Sequence, residues 1–270
     1  MDKKLKLAVI GKPIGHSKSP EIHQDFANQF DAKIEFRKDE VTPETLETWL
    51  TDFFKDDGKG VSITLPLKEE ALNYVDEISD RARLASACNV IYAKDERLFA
   101  DCTDGYGFTK DIEENLNVPV KDKKILILGA GGAARGIIPS IIEKKPAKLK
   151  VANRTESKAL LLREDLEAKV NLKEKNTIFE AGDLSDDFLL ADSYDLVINS
   201  TSVSTQAGES MGLPKALFLG TKLAYDLFYS NEKTAFMQEA LAAGAEKASD
   251  GWGMLVEQGA ESFRLSLIHI

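Results

Sequence analysis

The chain has 270 residues, of which 43% are hydrophobic and 30% charged, and its formal net charge at pH 7 is −10. This length predicts about two domains, and the ordinary globular composition excludes wholesale disorder and fibrous repeats. The acidic balance argues against nucleic acid as a partner, because phosphate backbones are bound by clustered lysine and arginine. It does not exclude a small anionic substrate, which needs only a local pocket.

The sequence shows no membrane or export segment. No stretch reaches the ~18 consecutive apolar residues of a membrane span, and the apolar run at residues 7–10 is too short for the core of a signal peptide. We therefore expect a cytoplasmic protein without membrane contact. Its two cysteines, Cys88 and Cys102, are expected to be free thiols, and its three histidines are too few for a histidine-rich metal site, so no metal is expected.

Strand-like and helix-like segments alternate from the start of the chain. Short apolar runs predict strands over 5–10, 34–36 and 60–65, and a hairpin with strands over 89–92 and 98–100. Helices are predicted to begin at Ser19-Pro20 and Thr42-Pro43, because a hydroxyl residue can cap a helix and proline suits its first turn. Leu46, Leu50 and Phe53 then follow at helical spacing.

A second alternating series begins near Gly105. A connecting helix is predicted over 107–116, and the predicted strands lie at 124–128, 148–152, 177–179, 196–198 and 222–225. Helices are predicted from the glycine-rich turn after the first of these strands to Ile142, and over 157–166 and 234–243. Alternation of this kind indicates an α/β fold with a mostly parallel sheet. The last helix, over 254–267, is expected to return to the first domain.

A glycine-rich turn follows the predicted strand at 124–128. Residues 129–134 read G-A-G-G-A-A and fit the pattern G-x-G-x-x-A. Gly129 would permit the tight turn, Gly131 would let the backbone approach a pyrophosphate, and Ala134 would let the helix pack close to the sheet. The motif predicts a Rossmann-type dinucleotide-binding domain, although such a turn can also be purely structural.

The end of the next strand bears on the choice of dinucleotide. An enzyme specific for NAD usually places an acidic residue there, which binds the ribose hydroxyls. This chain has Asn153, Arg154 and Thr155 instead, with Lys158 one turn later. Arg154 can bind a 2′-phosphate through a charged fork, with Thr155 and Lys158 as further donors. The pattern favours NADP over NAD; the alternative is a surface arginine beside a helix cap.

Polar residues also follow the predicted strands of the N-terminal half. Ser17 and Ser19 can both face a polar ligand if the loop between them is extended. Thr64 lies at the end of the third strand and Lys68 just beyond it, where open α/β sheets bind ligands. Taken alone, Lys68 would ordinarily be solvated, and Ser19 would serve as a helix cap.

Two further polar residues frame the hairpin. Asn89 begins it, and Asp104 follows it within the segment Cys102-Thr103-Asp104-Gly105. Asp104 can alternatively cap the helix that follows.

Taken in order, these motifs resemble those of the shikimate dehydrogenase family. The resemblance spans nearly the whole chain and depends on the ordered set rather than on any single motif. Its members here are Ser17-Lys18-Ser19-Pro20, Thr64-x-Pro66-x-Lys68, Asn89, Thr103-Asp104-Gly105, the turn at 129–136, Asn153-Arg154-Thr155, and Asp250-Gly251-x-Gly253-Met254-Leu255-x-x-Gln258.

The resemblance implies an NADP-dependent oxidoreductase that reduces 3-dehydroshikimate to shikimate with NADPH, in the route through chorismate to the aromatic amino acids. It implies a substrate-binding domain at 1–104 plus 251–270 and an NADP-binding Rossmann domain at 105–250. Lys68 and Asp104 would be the catalytic pair. The implied substrate contacts are Ser17, Ser19, Thr64, Lys68, Asn89, Asp104, Tyr225 and Gln258. The implied cofactor contacts are Gly129, Gly131, Gly132, Ala133, Asn153, Arg154, Thr155, Lys158, Gly251 and Met254.

The residue types suit this chemistry. Hydride transfer leaves negative charge on the ketone oxygen, where an ammonium group stabilises it and can donate a proton. Which of Lys68 and Asp104 transfers that proton stays open, as does the choice between a monomer and a homodimer. Two alternatives to the main hypothesis are a quinate/shikimate dehydrogenase of broader specificity and a non-catalytic protein that senses such metabolites.

Overall fold

The computed structural model describes residues 4–201, 203, 210 and 212–267, with the exception of the side chain of Lys173. Its contacts divide the chain into two compact units, one formed by Met1–Gly107 with Val256–Ile270 and the other by Phe108–Leu255. The domain limits that we predict, at 104/105 and 250/251, lie within a few residues of this division and stay a prediction.

The first unit contains a mixed six-stranded sheet with the order β2-β1-β3-β5-β6-β4. Its strands are β1 (Leu5–Gly11), β2 (Ile34–Glu40), β3 (Gly58–Ile63), β4 (Glu77–Ile78), β5 (Val90–Lys94) and β6 (Arg97–Asp101). β1 pairs in parallel with β2 and β3, whereas β5 is antiparallel to both β3 and β6. The β5–β6 hairpin turns at Asp95 and Glu96, which both have positive φ, as the predicted hairpin requires.

Three helices precede the crossover to the second unit: α1 (Ser19–Gln29), α2 (Pro43–Lys55) and α3 (Asp80–Ala85). α2 buries Leu46, Leu50 and Phe53, the face that its spacing predicts. α1 differs in one detail, because Lys18 is its N-cap residue and Ser19 is its first residue. At this end of the helix, the backbone N–H of Ser19 donates to Ser17 Oγ at 3.3 Å, so the side chain that accepts is that of Ser17 and not that of Ser19.

The second unit contains a six-stranded, wholly parallel sheet. Its strands are β7 (Lys124–Leu128), β8 (Lys148–Ala152), β9 (Ile178–Gly182), β10 (Leu196–Asn199), β11 (Leu223–Asp226) and β12 (Ala248–Ser249). The order β9-β8-β7-β10-β11-β12 is the doubly wound order of a Rossmann fold, with β7 at the point where the winding reverses. This confirms the predicted fold class.

The helices of the second half are α4 (Asp104–Lys110), α5 (Gly132–Glu143), α6 (Glu156–Lys169), α7 (Leu172–Lys175), α8 (Asp186–Leu189), α9 (Ala235–Ala242) and α10 (Trp252–Leu267). A π-helical turn, Asp111–Asn115, follows α4, where the sequence predicts one continuous helix. Within the part of the chain that the structure describes, no helix has the length and apolarity needed to cross a bilayer.

The end of α10 packs on the first unit, as predicted. Phe263 belongs to a buried cluster with Leu7, Ala27 and Ile34, so it contacts β1, α1 and β2. Its ring also lies 5.8 Å from that of Phe26. α10 therefore completes a core whose other members come from the first part of the sequence.

His23 on α1 is buried in this aromatic cluster. It is 4% exposed, its ring lies 4.7 Å from that of Phe36, and its Nδ1 is 2.9 Å from the carbonyl oxygen of Ser19. Burial lowers the pKa of His23 to about 4, although the carbonyl contact favours the protonated form. The folded protein therefore keeps His23 neutral over a pH range in which the unfolded chain binds a proton.

This difference predicts that stability falls on acidification. Between the ordinary pKa of 6.5 and about 4, the unfolded chain binds more protons at this position, so the free energy of unfolding should drop by at most about 3 kcal/mol. Urea unfolding of the wild type and of His23→Phe at several pH values checks this. The variant should lose that part of the pH dependence, whereas replacing the exposed His16 by Phe should not; equal slopes in all three proteins would contradict it.

Candidate active site

Lys68 is held by the turn that follows β3. The Thr64 N–H donates to the carbonyl of Ile10 at 3.0 Å, and the Leu67 N–H donates to the carbonyl of Thr64 at 3.0 Å, so the chain turns at the sheet edge. The Cys88 N–H then donates to the carbonyl of Lys68 at 2.8 Å. These backbone bonds fix the position of Lys68, whose side chain is 17% exposed.

Asp104 meets Lys68 from the start of α4. Lys68 Nζ donates to Asp104 Oδ2 at 2.5 Å, and Asn89 Nδ2 donates to Asp104 Oδ1 at 2.8 Å. Both oxygens act as acceptors, which is the pattern of a carboxylate. The Asp104 side chain is only 8% exposed, so the ion pair is largely removed from solvent.

The pair also sets the charge of Lys68. Burial opposes an ammonium group, but the negative charge of Asp104 and its hydrogen bond outweigh burial, so the pKa of Lys68 lies above its ordinary value. Lys68 is therefore protonated at neutral pH and can donate a proton.

Asn89 connects this pair to α10. Its Nδ2 lies 2.9 Å from Thr103 Oγ1 and 3.0 Å from Gln258 Oε1, and its Oδ1 accepts the N–H of Thr103 at 2.7 Å. Thr103 Oγ1 in turn lies 3.1 Å from the carbonyl of Gln258 and 2.9 Å from Ser262 Oγ. The structure thus brings together Lys68, Asn89, Asp104 and Gln258, all predicted site residues.

Thr103 and Ser262 are not among the predicted site residues. Thr103 is fully buried and Ser262 is 2% exposed. Thr103 stands inside the Thr-Asp-Gly motif, which is a usable signal. Ser262 has no such signal, because serine is common on amphipathic helices. Only the structure shows that its hydroxyl contacts the buried hydroxyl of Thr103.

Ser17 and Ser19 follow β1, in the connection to α1 and at its first residue, and Thr64 directly follows β3, the parallel neighbour of β1. All three are partly exposed, and the two serine hydroxyls are 3.2 Å apart. They share this sheet edge with the turn that leads to Lys68. They therefore present hydroxyl groups where an open sheet binds its ligand.

Tyr225 is a predicted substrate contact, and the structure places it in the interior of the second unit. It is fully buried, its hydroxyl donates to Asp111 Oδ2 at 2.7 Å, and its ring packs on Phe108. Burial raises the pKa of Tyr225 above its ordinary value, so the hydroxyl stays protonated. Tyr229, four residues later in the same segment, is partly exposed and has its ring 5.9 Å from that of Trp252. Of these two tyrosines, Tyr229 has the accessible surface.

The glycine turn after β7 has the geometry that a dinucleotide needs. Gly129 has a φ of +106°, and a Cβ at this position would lie 2.6 Å from Ser200 Oγ. At Gly131 and Gly132, by contrast, a Cβ would meet nothing within 4 Å. α5 begins at Gly132 with no acidic residue in its first turn, and Ala133 lies in that turn. The open backbone at a helix N-terminus fits a pyrophosphate.

The end of β8 supplies the basic side of this site. Asn153 Oδ1 accepts the N–H of Ala130 at 3.2 Å and so ties this strand end to the glycine turn. Arg154, Thr155 and Lys158 are exposed, and among the described residues neither cation forms an ion pair. Unpaired cations beside a helix N-terminus suit a phosphate group.

A buried polar network underlies the neighbouring strand ends. Asn199 Nδ2 donates to Asp226 Oδ1 at 3.0 Å, and Asn199 Oδ1 accepts the N–H and the hydroxyl of Thr201 at 3.0 and 2.7 Å. The residues Asn199 and Asp226 are both fully buried. They are the last residues of β10 and β11. Neither is among the predicted site residues.

Gly251 and Met254 lie around the start of α10. The Gly251 N–H donates to the carbonyl of Phe228 at 3.0 Å, and a Cβ at this position would lie 2.4 Å from the carbonyl oxygen of Leu227. Glycine therefore lets two backbone segments meet here. Met254 is partly exposed. The role of both residues near a nicotinamide ring stays a prediction.

Neither Cys88 nor Cys102 forms a disulfide, and both are buried. Burial raises the pKa of Cys88 to about 12, and it raises that of Cys102 as well. The two thiols therefore stay protonated at neutral pH, which makes them poor nucleophiles.

Comparison with known proteins identifies the same two halves. The family model described as the shikimate dehydrogenase substrate binding domain matches residues 9–91, and that of shikimate / quinate 5-dehydrogenase matches residues 111–211. A protein of Chromobacterium violaceum named shikimate dehydrogenase (NADP(+)) is 41% identical over 260 residues, which are 96% of this chain and 92% of that protein.

Solved structures agree with the sequence relatives. An Ael1 enzyme from Pseudomonas putida is 38% identical, with a TM-score of 0.87 over 98% of this chain and 93% of that one. The shikimate 5-dehydrogenase of Thermus thermophilus, in complex with NADP(H) and shikimate, is 32% identical, with a TM-score of 0.85 over 97% and 93% of the two chains.

The glycine turn yields a prediction on stability. Gly129→Ala should lower the free energy of unfolding by about 1–3 kcal/mol, because the substitution combines a positive φ with a close contact to Ser200. Gly132→Ala is the matched control, since its Cβ would enter open space. Thermal unfolding of both variants measures the difference. Equal midpoints for the two would contradict the reasoning.

Proposed function

The chain belongs to the shikimate dehydrogenase family, and from this premise we propose that it reduces 3-dehydroshikimate to shikimate with NADPH. The observation that carries the proposal is the Lys68–Asp104 pair, held by Asn89 beside Gln258. An ammonium group and a carboxylate fixed together at a sheet edge can stabilise a developing alkoxide and supply its proton.

Lys68 is the proton donor in this proposal. NADPH, when bound, supplies the hydride that reduces the ketone carbon. Lys68 places its ammonium group at the ketone oxygen and transfers a proton to it as negative charge develops. The raised pKa of Lys68 supports this role, because the group is charged before the reaction begins. Asp104 keeps the ammonium oriented and accepts a hydrogen bond from the substrate.

Hydroxyl and amide groups surround this pair in the first unit. Shikimate carries hydroxyl groups and a carboxylate on a small ring, so its site must offer many hydrogen-bonding groups. Ser17, Ser19 and Thr64 contribute hydroxyls at the sheet edge, while Asn89 and Gln258 contribute amides. A site of this composition binds a polar ring and disfavours an apolar one.

NADP is held by the second unit. The backbone at Gly131, Gly132 and Ala133 binds the pyrophosphate at the start of α5. Arg154, with Thr155 and Lys158, binds the 2′-phosphate of the adenosine. The open space at the two glycines and the unpaired cations among the described residues support this assignment.

The relatives' activity also suggests a cellular role. We assign the reaction to the shikimate pathway, which leads through chorismate to the aromatic amino acids. The assignment rests on the names of the relatives, and with it the enzyme is expected to act in the cytoplasm.

The first test is shikimate-dependent reduction of NADP⁺ by the purified protein, followed through the absorbance of NADPH. Lys68→Ala should lower kcat by at least about 10²-fold, since it removes the proton donor. Binding of NADP⁺ to the variant, measured by calorimetry, should persist because Lys68 lies outside the residues assigned to the cofactor.

Lys6→Ala serves as the matched control. Lys6 pairs with Asp56 at 2.6 Å in the same unit, so the substitution removes a lysine–aspartate pair that lies outside the site. This variant should keep the wild-type turnover. Normal turnover by Lys68→Ala would reject the mechanism.

A second test addresses the choice of cofactor. Arg154→Ala should weaken NADP⁺ binding by about 10- to 100-fold, as expected for losing a charged hydrogen-bond partner, and should leave NAD⁺ kinetics nearly unchanged. Steady-state kinetics with both cofactors checks this. Arg163→Ala, within α6, is the control. An equal loss for NADP⁺ and NAD⁺ in Arg154→Ala would contradict recognition of the 2′-phosphate.

A further inference from the structure

Arg81 on α3 connects two segments that carry site residues. Its Nε and Nη2 donate to Asp101 Oδ1 and Oδ2 at 3.0 and 2.7 Å, and Nη2 also donates to Glu261 Oε1 at 3.1 Å. The guanidinium therefore binds two carboxylates at once. All three residues belong to the first unit.

Asp101 anchors the segment that carries Asp104. It ends β6, and its Oδ1 also accepts the hydroxyl of Ser79 and the N–H of Cys102, each at 2.7 Å. The side chain is only 6% exposed. Just two residues separate Asp101 from Asp104. A shift of Asp101 would therefore also shift Asp104 and disturb its ion pair with Lys68.

Glu261 anchors the segment that carries Gln258. It lies three residues later on α10, about one helical turn, and beside Ser262, which contacts Thr103. Its side chain is 8% exposed. Arg264 binds the same carboxylate at 2.7 and 2.9 Å, but it stands on the same helix and ties Glu261 to no other element.

The charges of Asp101 and Glu261 explain why a guanidinium group stands between β6 and α10. Two nearly buried carboxylates are costly unless cations pair with them. A lysine at position 81 would bring a point charge rather than a fork, so it could not reproduce two parallel bonds to Asp101 together with one to Glu261. Among the described residues, only Arg81 is seen to bind both of these carboxylates.

We propose that Arg81 is a positioning residue for the reduction of 3-dehydroshikimate: it holds the end of β6, with Thr103 and Asp104, against the turn of α10 that carries Gln258. This inference rests on the proposed function. Arg81 is not a predicted substrate contact, yet it binds two carboxylates, and the proposal gives a reason for this: Asp101 lies close to Asp104 in the sequence, and Glu261 close to Gln258. Arg81 acts through Asp101 and Glu261 and takes no part in the chemistry.

The test compares Arg81→Met and Arg81→Lys with the wild type. In Arg81→Met, kcat/KM for shikimate should fall roughly 10- to 100-fold, the usual cost of a small misplacement of reacting groups, while KM for NADP⁺ stays unchanged. Arg81→Lys retains the charge and should show a smaller loss, which keeps the test decisive if the methionine variant fails to fold. Amide hydrogen exchange at Thr103, whose N–H donates to Asn89, should be faster in both variants.

Arg264→Met is the matched control, since it removes the other guanidinium from Glu261 without touching Asp101. It should keep the wild-type kcat/KM and the wild-type exchange at Thr103. The inference is overturned if folded Arg81 variants keep full kcat/KM and normal exchange, or if Arg264→Met causes an equal loss. If the wild type itself lacks shikimate-dependent activity, the proposed function fails, and exchange at Thr103 still decides whether Arg81 holds this segment.

Discussion

The site depends on one buried carboxylate. One oxygen of Asp104 accepts a hydrogen bond from the ammonium group of Lys68, and the other accepts one from the amide of Asn89. A single side chain therefore holds both groups in place. Burial alone would lower the pKa of Lys68, but the negative charge of Asp104 and its hydrogen bond act together against burial, and the pKa rises. Without this partner, burial would disfavour the charged ammonium form, which is the form that donates a proton.

The sheet explains how distant parts of the sequence reach this carboxylate. Parallel strands β1 and β3 end at the same edge, which gathers Ser17, Ser19, Thr64 and the turn to Lys68. The β5–β6 hairpin pairs Val90 with Asp101, so Asn89, just before β5, and Asp104, just after β6, lie at the same open end of the hairpin. α10 then adds Gln258 through hydrogen bonds to Asn89 and Thr103, contacts that no local pattern specifies.

Much of this could be predicted from the sequence, because strong local signals coincide with regular elements. The strands at 124–128 and 148–152 match the structure residue for residue, since each begins at a lysine and continues as a short buried run that a turn ends. β4, with two residues, and β12, also with two, carry no such pattern and are not predicted. The sequence alone misplaces Ser19 as a cap and does not reveal that Tyr225 is buried, because burial and hydrogen-bond partners are tertiary properties.

The first turn of α10 belongs to one unit and the rest of the helix to the other, and this has a consequence for the order of folding. Residues 108–255 leave the ribosome as one uninterrupted stretch, so the parallel sheet can form while translation continues. The core of the first unit is complete only after residues 256–267 are synthesised, because these residues include Phe263 and the partners of Thr103 and Arg81. Until these are synthesised, Leu7 and Ile34 lack part of their cover, and the nascent N-terminal region is the part that chaperones would need to protect.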